Sequence, residues 1–118
     1  MAGAATKLTT GLTGLQVAKH PQHSLKILYE KILNTLQKMP AEAAYRKNTQ
    51  QIVEDRLAIV KSAKDVTSIE TKINCGQAEE LIVQAENELS LSRQMLKWKP
   101  WEPLISESPK NQWKWPMV

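Results

Sequence analysis

The sequence predicts an all-α protein: an up-and-down bundle of three main helices plus one short helix, with an extended Trp/Pro-rich C-terminal tail. Three observations carry that expectation. Apolar residues recur at three- and four-residue steps through residues 25–39, 45–60 and 78–96, the spacing of one buried helical face. No stretch bounded by turn residues alternates apolar and polar side chains as a half-buried strand does. All four tryptophans fall between residues 98 and 115, in a stretch punctuated by Pro100, Pro103, Pro109 and Pro116, which forbid a continuous helix there.

A chain of 118 residues has the size of one domain and hides roughly two-thirds of its unfolded surface on folding. It has no Phe and only 5% aromatic residues, so aliphatic side chains must build the core. No run of about 18 apolar residues is present, which excludes a transmembrane helix. The single cysteine, Cys75, excludes an internal disulfide, a thiolate zinc cage and a self-held iron–sulfur cluster. The net charge is +4, unevenly spread. Residues 1–29 carry Lys7, Lys19 and Lys26 and no acid, whereas 77–97 carries Glu79, Glu80, Glu86 and Glu88 against Arg93 and Lys97. A nucleic-acid stripe needs Lys and Arg clustered along one element, so no nucleic-acid partner is expected.

The chain divides into an N-terminal arm (1–19), a helical bundle (20–97) and a docking tail (98–118). The arm is rich in Gly, Thr and Ala, with Leu8, Leu12 and Leu15 at helical spacing. Freedom from acids and amphipathic spacing match an organelle targeting segment, though no Arg is present. A flexible arm that docks on a partner is the other reading, and both stay open.

The first helix starts at His20-Pro21, because proline suits a first helical turn and disfavours helix just before it. Leu25, Leu28, Ile32, Leu36 and Met39 form its stripe, widened by Ile27, Tyr29 and Leu33, and it ends before Pro40. The second is expected from about Ala41 to Lys61, burying Tyr45, Thr49, Ile52, Val53, Ile59 and Val60, with Leu57 beside them. The tight Met39-Pro40-Ala41 joint folds the two back as an antiparallel hairpin. Asp65 caps a short third helix through Val66, Ile69 and Ile73, and Asn74-Cys75-Gly76 stops it. The last helix is the clearest, with Ala78, Leu81, Ile82, Ala85, Leu89, Ser92 and Leu96 on one face. Glu79 and Glu80 in its first turn and Lys97 near its end suit the helix dipole, and these glutamates are expected on the solvated side.

Trp98, Trp101, Trp113 and Trp115 are the candidate docking residues. A proline-stiffened segment loses less entropy on docking, and tryptophan is among the commonest interface anchors. Trp98 and Trp101 fit equally well as a lid on the open end of the bundle. Trp113 and Trp115, further out beside Lys110 and Lys114, point outward.

Reactive chemistry is missing. His20 and His23 have no third metal ligand nearby, Cys75 has no histidine partner in sequence, and no phosphate-loop pattern follows a strand. No preorganised catalytic constellation is visible, so no enzyme activity, metal or cofactor is expected of this polypeptide alone.

The blocks ILYEKIL (27–33), AAYRKNTQQI (43–52), LAIVK (57–61), GQAEELIVQAENEL (76–89), WKPWEPL (98–104) and NQWKWP (111–116) resemble, in order and spacing, the 13-kDa accessory subunits of the alpha subcomplex of mitochondrial complex I, the NADH:ubiquinone oxidoreductase. The resemblance covers nearly the whole chain, and the tail blocks carry most weight. It is poorest at the extreme N-terminus and over 62–75, where the family often has a glycine in place of Cys75. The resemblance implies a non-catalytic helical-bundle subunit holding no cofactor, on the matrix side of the inner membrane in the peripheral arm. It implies docking on a cofactor-free core subunit and on a kinase-like accessory subunit, and a role in assembly and stability.

Two alternatives stand beside it. One is a transient mitochondrial assembly factor. The other is an adaptor of the LYR group, whose Leu-Tyr-Arg tripeptide is here Leu28-Tyr29-Glu30, with the required charge reversed and the later phenylalanine pattern absent.

Overall fold

Pro21 opens helix α1 (Pro21–Leu36), occupying a first-turn position where its missing N–H costs nothing. The computed structural model describes residues 7–116 and continues with α2 (Ala44–Ser62), α3 (Val66–Ile73) and α4 (Ala78–Trp98). Among the described residues there is no strand. The N-terminal arm's first six residues, and Met117 and Val118, lie outside the described residues.

Helix α1 lies between α2 and α4 and packs against both. It buries Leu25, Tyr29, Ile32 and Leu36, all 2% exposed or less. The helix was expected to run up to Pro40 but stops at Leu36. Lys38 and Met39 then bond back to Thr35 O and Leu36 O at 3.1 and 3.0 Å, the tightened turn by which helices often finish. Met39 still reaches the core, at 3% exposure, so its place in the stripe holds although its helical conformation does not. The same reversal delays α2 from Ala41 to Ala44. Ala43 N bonds to Pro40 O at 3.1 Å, and the Arg46 guanidinium donates to Met39 O, supplying a partner to a carbonyl beyond the helix end.

Gln22 Nε2 donates to Val60 O and Ala63 O at 2.7 and 3.1 Å, fastening the end of α2 to the start of α1 and fixing the antiparallel hairpin. Helix α2 buries Thr49, Val53, Leu57 and Val60. Ile52, expected on that face, is 55% exposed, and Leu57 belongs to the core instead. The reason lies in the neighbours: α2 packs on α1 and on the short α3 but meets α4 through long polar side chains, Tyr45 to Glu88 at 3.1 Å and Arg56 to Gln84 at 3.2 Å. Its flank therefore stays open to solvent.

Asp65 caps α3 as expected, its carboxylate accepting from Ser68 N at 2.8 Å. That bond holds the Asp65 carboxyl below its ordinary pKa. Asn74 ends α3 in the left-handed conformation, φ 56°. Gly76 follows at φ 104°, a backbone conformation that favours glycine, and a Cβ there would fall 1.9 Å from Glu80 Oε2 and displace that side chain. Glu80 in turn accepts from Gln77 N at 2.8 Å, closing the start of α4.

Helix α4 runs parallel to α1 and buries Ala78, Leu81, Ala85, Leu89 and Ser92 against it. Ser92, fully buried, donates to Leu89 O at 2.8 Å, so a small polar residue sits in the core with its hydroxyl satisfied. Lys99 adopts φ 52° and Pro100 prevents any continuation. Each of the larger core aliphatics contributes about 1.5–3 kcal/mol by leaving water.

Candidate docking surface

The stripe of α4 decides where the tryptophans go. Its buried positions step through Ala85, Leu89 and Ser92 to the half-buried Leu96, so Trp98 falls off that face and is 64% exposed. After the left-handed turn at Lys99, Glu102 N bonds to Lys99 O at 3.1 Å. The chain folds back there, and the half-buried Trp101 packs against the core. Of the two indoles that fitted a lid over the bundle, Trp101 alone takes that place.

Beyond Trp101 the tail is a string of turns, with Gln112 N bonded to Pro109 O and Lys114 N to Asn111 O, both at 3.1 Å. Trp113 and Trp115 are 81% and 78% exposed, and Leu104 and Ile105 are exposed with them. Three indoles and two large aliphatics thus stand in solvent on one short segment.

The opposite end is closed by contacts between the arm and α4 that the sequence reading did not foresee. Thr10 is buried and donates to Leu15 O at 2.7 Å. Gln77 Nε2 donates to Thr10 O at 2.8 Å, and Lys7 donates to Gln77 Oε1. Lys7 Nζ also stands 2.7 Å from Glu79 Oε1, while Ala18 N donates to Glu79 Oε2 at 3.0 Å. Glu79, expected on the solvated side of α4, is 4% exposed. It is covered because residues 7–18 lie over the first turn of α4. Burial opposes its ionisation, but the Lys7 ammonium and the Ala18 N–H outweigh that and hold the carboxyl below its ordinary pKa. Acid-free sequence before residue 20 was the only hint that a counterion for Glu79 existed.

Cys75 is exposed. Arg56 Nη2 approaches its sulfur at 3.4 Å, and Gln84 Nε2 donates to its carbonyl at 3.2 Å. The structure sets no histidine against it. His20 is the N-cap residue of α1 and makes no side-chain capping bond, and His23 is exposed. Among the described residues no group of three or more His, Cys, Asp or Glu converges as a metal site, and no helix is long and apolar enough to cross a membrane. The arrangement offers shaped surface at its two ends.

Residues 14–80 match the family model described as "ETC complex I subunit conserved region". The chain is 56% identical over 117 residues to the Bos taurus protein named NADH dehydrogenase [ubiquinone] 1 alpha subcomplex subunit 5, an alignment covering 99% of this chain and 100% of that one. The protein so named from Rattus norvegicus is 55% identical over the same shares. A Caenorhabditis elegans protein named as a probable member is 48% identical over 111 residues, 94% of this chain and 74% of its own.

The chain belongs to the complex I alpha subcomplex subunit 5 family. The conserved region of that family spans the end of the arm, α1, α2, α3 and the first turn of α4, with Glu79 inside it. The tryptophan tail lies beyond that region, and the alignment with the bovine family member takes in 99% of the chain. The family resemblance carried by the six sequence blocks is therefore met by full-length relatives.

Proposed function

We propose that this chain is a non-catalytic structural subunit that supports assembly and stability of mitochondrial complex I, docking through its tail. Membership of the family makes it an accessory subunit of the respiratory chain's complex I, with other complex I subunits as its partners and the mitochondrion as its compartment. The finer reading places it on the peripheral arm at the matrix face of the inner membrane. There it lies against a cofactor-free core subunit and a kinase-like accessory subunit, holding no cofactor itself.

One observation carries the docking role: Trp98, Trp113 and Trp115 stand exposed while Trp101 alone is spent on the bundle. Buried indoles at the centre of an interface are the side chains whose loss costs most binding energy. The test is to deplete the chain from cells and restore either the wild type or a Trp113→Ala/Trp115→Ala variant. Native gels and NADH:ubiquinone activity then report assembled enzyme. The expected result is that depletion lowers both and the variant restores them incompletely. Full assembly without the chain would refute the structural role, and absence of the chain from the mature enzyme would point to a transient assembly factor.

A further inference from the structure

Lys31 and Lys38 from the α1 side and Arg93 and Lys97 of α4 line one open groove of about 500 Å³, floored by Thr35 and Leu96. The groove follows from the topology. Helices α1 and α4 run parallel, so their C-terminal halves lie side by side, and α2 occupies the other flank of α1. No acidic residue is among those lining it. The ion pairs among the described residues are those of Lys7 with Glu70 and Glu79, at the far end of the bundle. None of the four groove cations therefore has a counterion within the described chain.

All four cations are exposed, so their mutual repulsion is mild. Arg93 and Lys97 are like charges four residues apart on one helix, an unfavourable pairing, and two more cations face them across the groove. The negative ends of two parallel helix dipoles offset part of that repulsion.

We propose that this groove seats an acidic segment of a neighbouring complex I subunit. The proposal rests on the reading of the chain as a subunit of that enzyme and adds to it a second contact, distinct from the indole tail. Lys31 lies on α1 and Lys38 in the turn just past its end, and Arg93 and Lys97 stand about 6 Å apart along α4, at 1.5 Å per residue. Carboxylates about one turn apart on a facing segment match the Arg93–Lys97 row, Lys31 and Lys38 flank it, and Leu96 and the lysine stems supply apolar contact beneath them. An anionic membrane calls for a face whose apolar residues insert between lipids. Nucleic acid calls for a stripe long enough to follow a phosphate backbone. A short open groove with four cations around one apolar floor suits neither and fits a single acidic segment.

The experiment uses purified complex I containing this chain. A water-soluble carbodiimide joins lysine amines to carboxylates only at direct contact, and the cross-linked peptides are read by mass spectrometry. Links from Lys31, Lys38 or Lys97 to Asp or Glu of another subunit are expected. A Lys31→Glu/Lys38→Glu/Arg93→Glu/Lys97→Glu chain should fold with unchanged helicity and incorporate at least tenfold less, while Lys31→Arg/Lys38→Arg/Lys97→Arg should incorporate normally. Normal incorporation of the charge-reversed chain, with no inter-subunit links from these lysines, overturns the inference but leaves the accessory-subunit reading standing. Loss of the wild-type chain from the purified enzyme overturns both. Charge-dependent binding of the free chain to homopolymer RNA or to anionic-lipid vesicles, in place of these links, assigns the groove to that ligand and also overturns the inference.

Discussion

Lys7 Nζ lies 2.7 Å from Glu79 Oε1, and this pair fastens the segment before α1 to the first turn of α4. The carboxylate's other oxygen takes the Ala18 N–H at 3.0 Å, so one side chain anchors both ends of the 7–18 loop. A carboxylate in a first turn is further favoured by the helix dipole. The bundle end that would otherwise expose the α4 terminus is thereby sealed from within the chain.

Removing that anchor should be measurable. Glu79→Ala leaves an ammonium and a backbone N–H without their acceptor, and the expected cost is about 1–3 kcal/mol in urea unfolding. The pH dependence has a definite sign. The folded carboxyl is held below its ordinary value of 4.5, so its contribution is complete above that pH and is lost as pH falls through the lower folded value. Glu79→Gln should flatten the acid limb of the stability curve. An unchanged acid limb would show that Glu79 is not the titrating anchor.

Gly76→Ala tests the α3–α4 turn. The new Cβ would collide with Glu80 Oε2 and force a side-chain residue into the left-handed region. Displacing Glu80 also removes its bond to Gln77 N. The combined cost should be about 2 kcal/mol, read from thermal melting. Gly11→Ala is a useful control for the backbone effect alone, since its φ is 77° but nothing lies within 4 Å of the added Cβ.

Tyr29 is 2% exposed, and among the described residues its hydroxyl makes no well-formed hydrogen bond, the Arg56 guanidinium lying near it. Burial pushes the phenol's pKa up, with the nearby Arg56 guanidinium tempering the rise. A buried polar atom left unpartnered costs stability, so Tyr29→Phe should be neutral or stabilising by up to about 1 kcal/mol. Denaturant titration checks this in a chain that otherwise contains no phenylalanine. A clear loss of stability would show that the hydroxyl is satisfied in solution.

The tryptophans should separate by experiment as they do in space. Trp101→Ala opens part of the core and should cost the free chain about 2 kcal/mol, roughly half the penalty of truncating a fully buried tryptophan. Trp113→Ala with Trp115→Ala removes exposed rings and should change the free chain's stability by no more than about 0.5 kcal/mol. Equal destabilisation by both changes would mean that the outer rings also serve the bundle.

Helix formation is local, and what is local was legible in the sequence. Pro21, Asp65 and the Asn74–Gly76 stop act within one turn of themselves, and the α4 stripe from Ala78 to Ser92 depends only on the helical period. The four helices, their order and the family resemblance followed from these features. Burial depends instead on what lies alongside. Ile52 is exposed because neither α1 nor α3 covers its side of α2, and Glu79 is buried because a distant segment folds over it. Trp98 and Trp101 part company at a backward turn after α4. The cationic groove exists only because α1 and α4 lie parallel, bringing charges from distant stretches of chain together. Periodicity specifies which face of a helix is apolar; the packing of one helix on another selects which residues of that face, and of its margins, leave water.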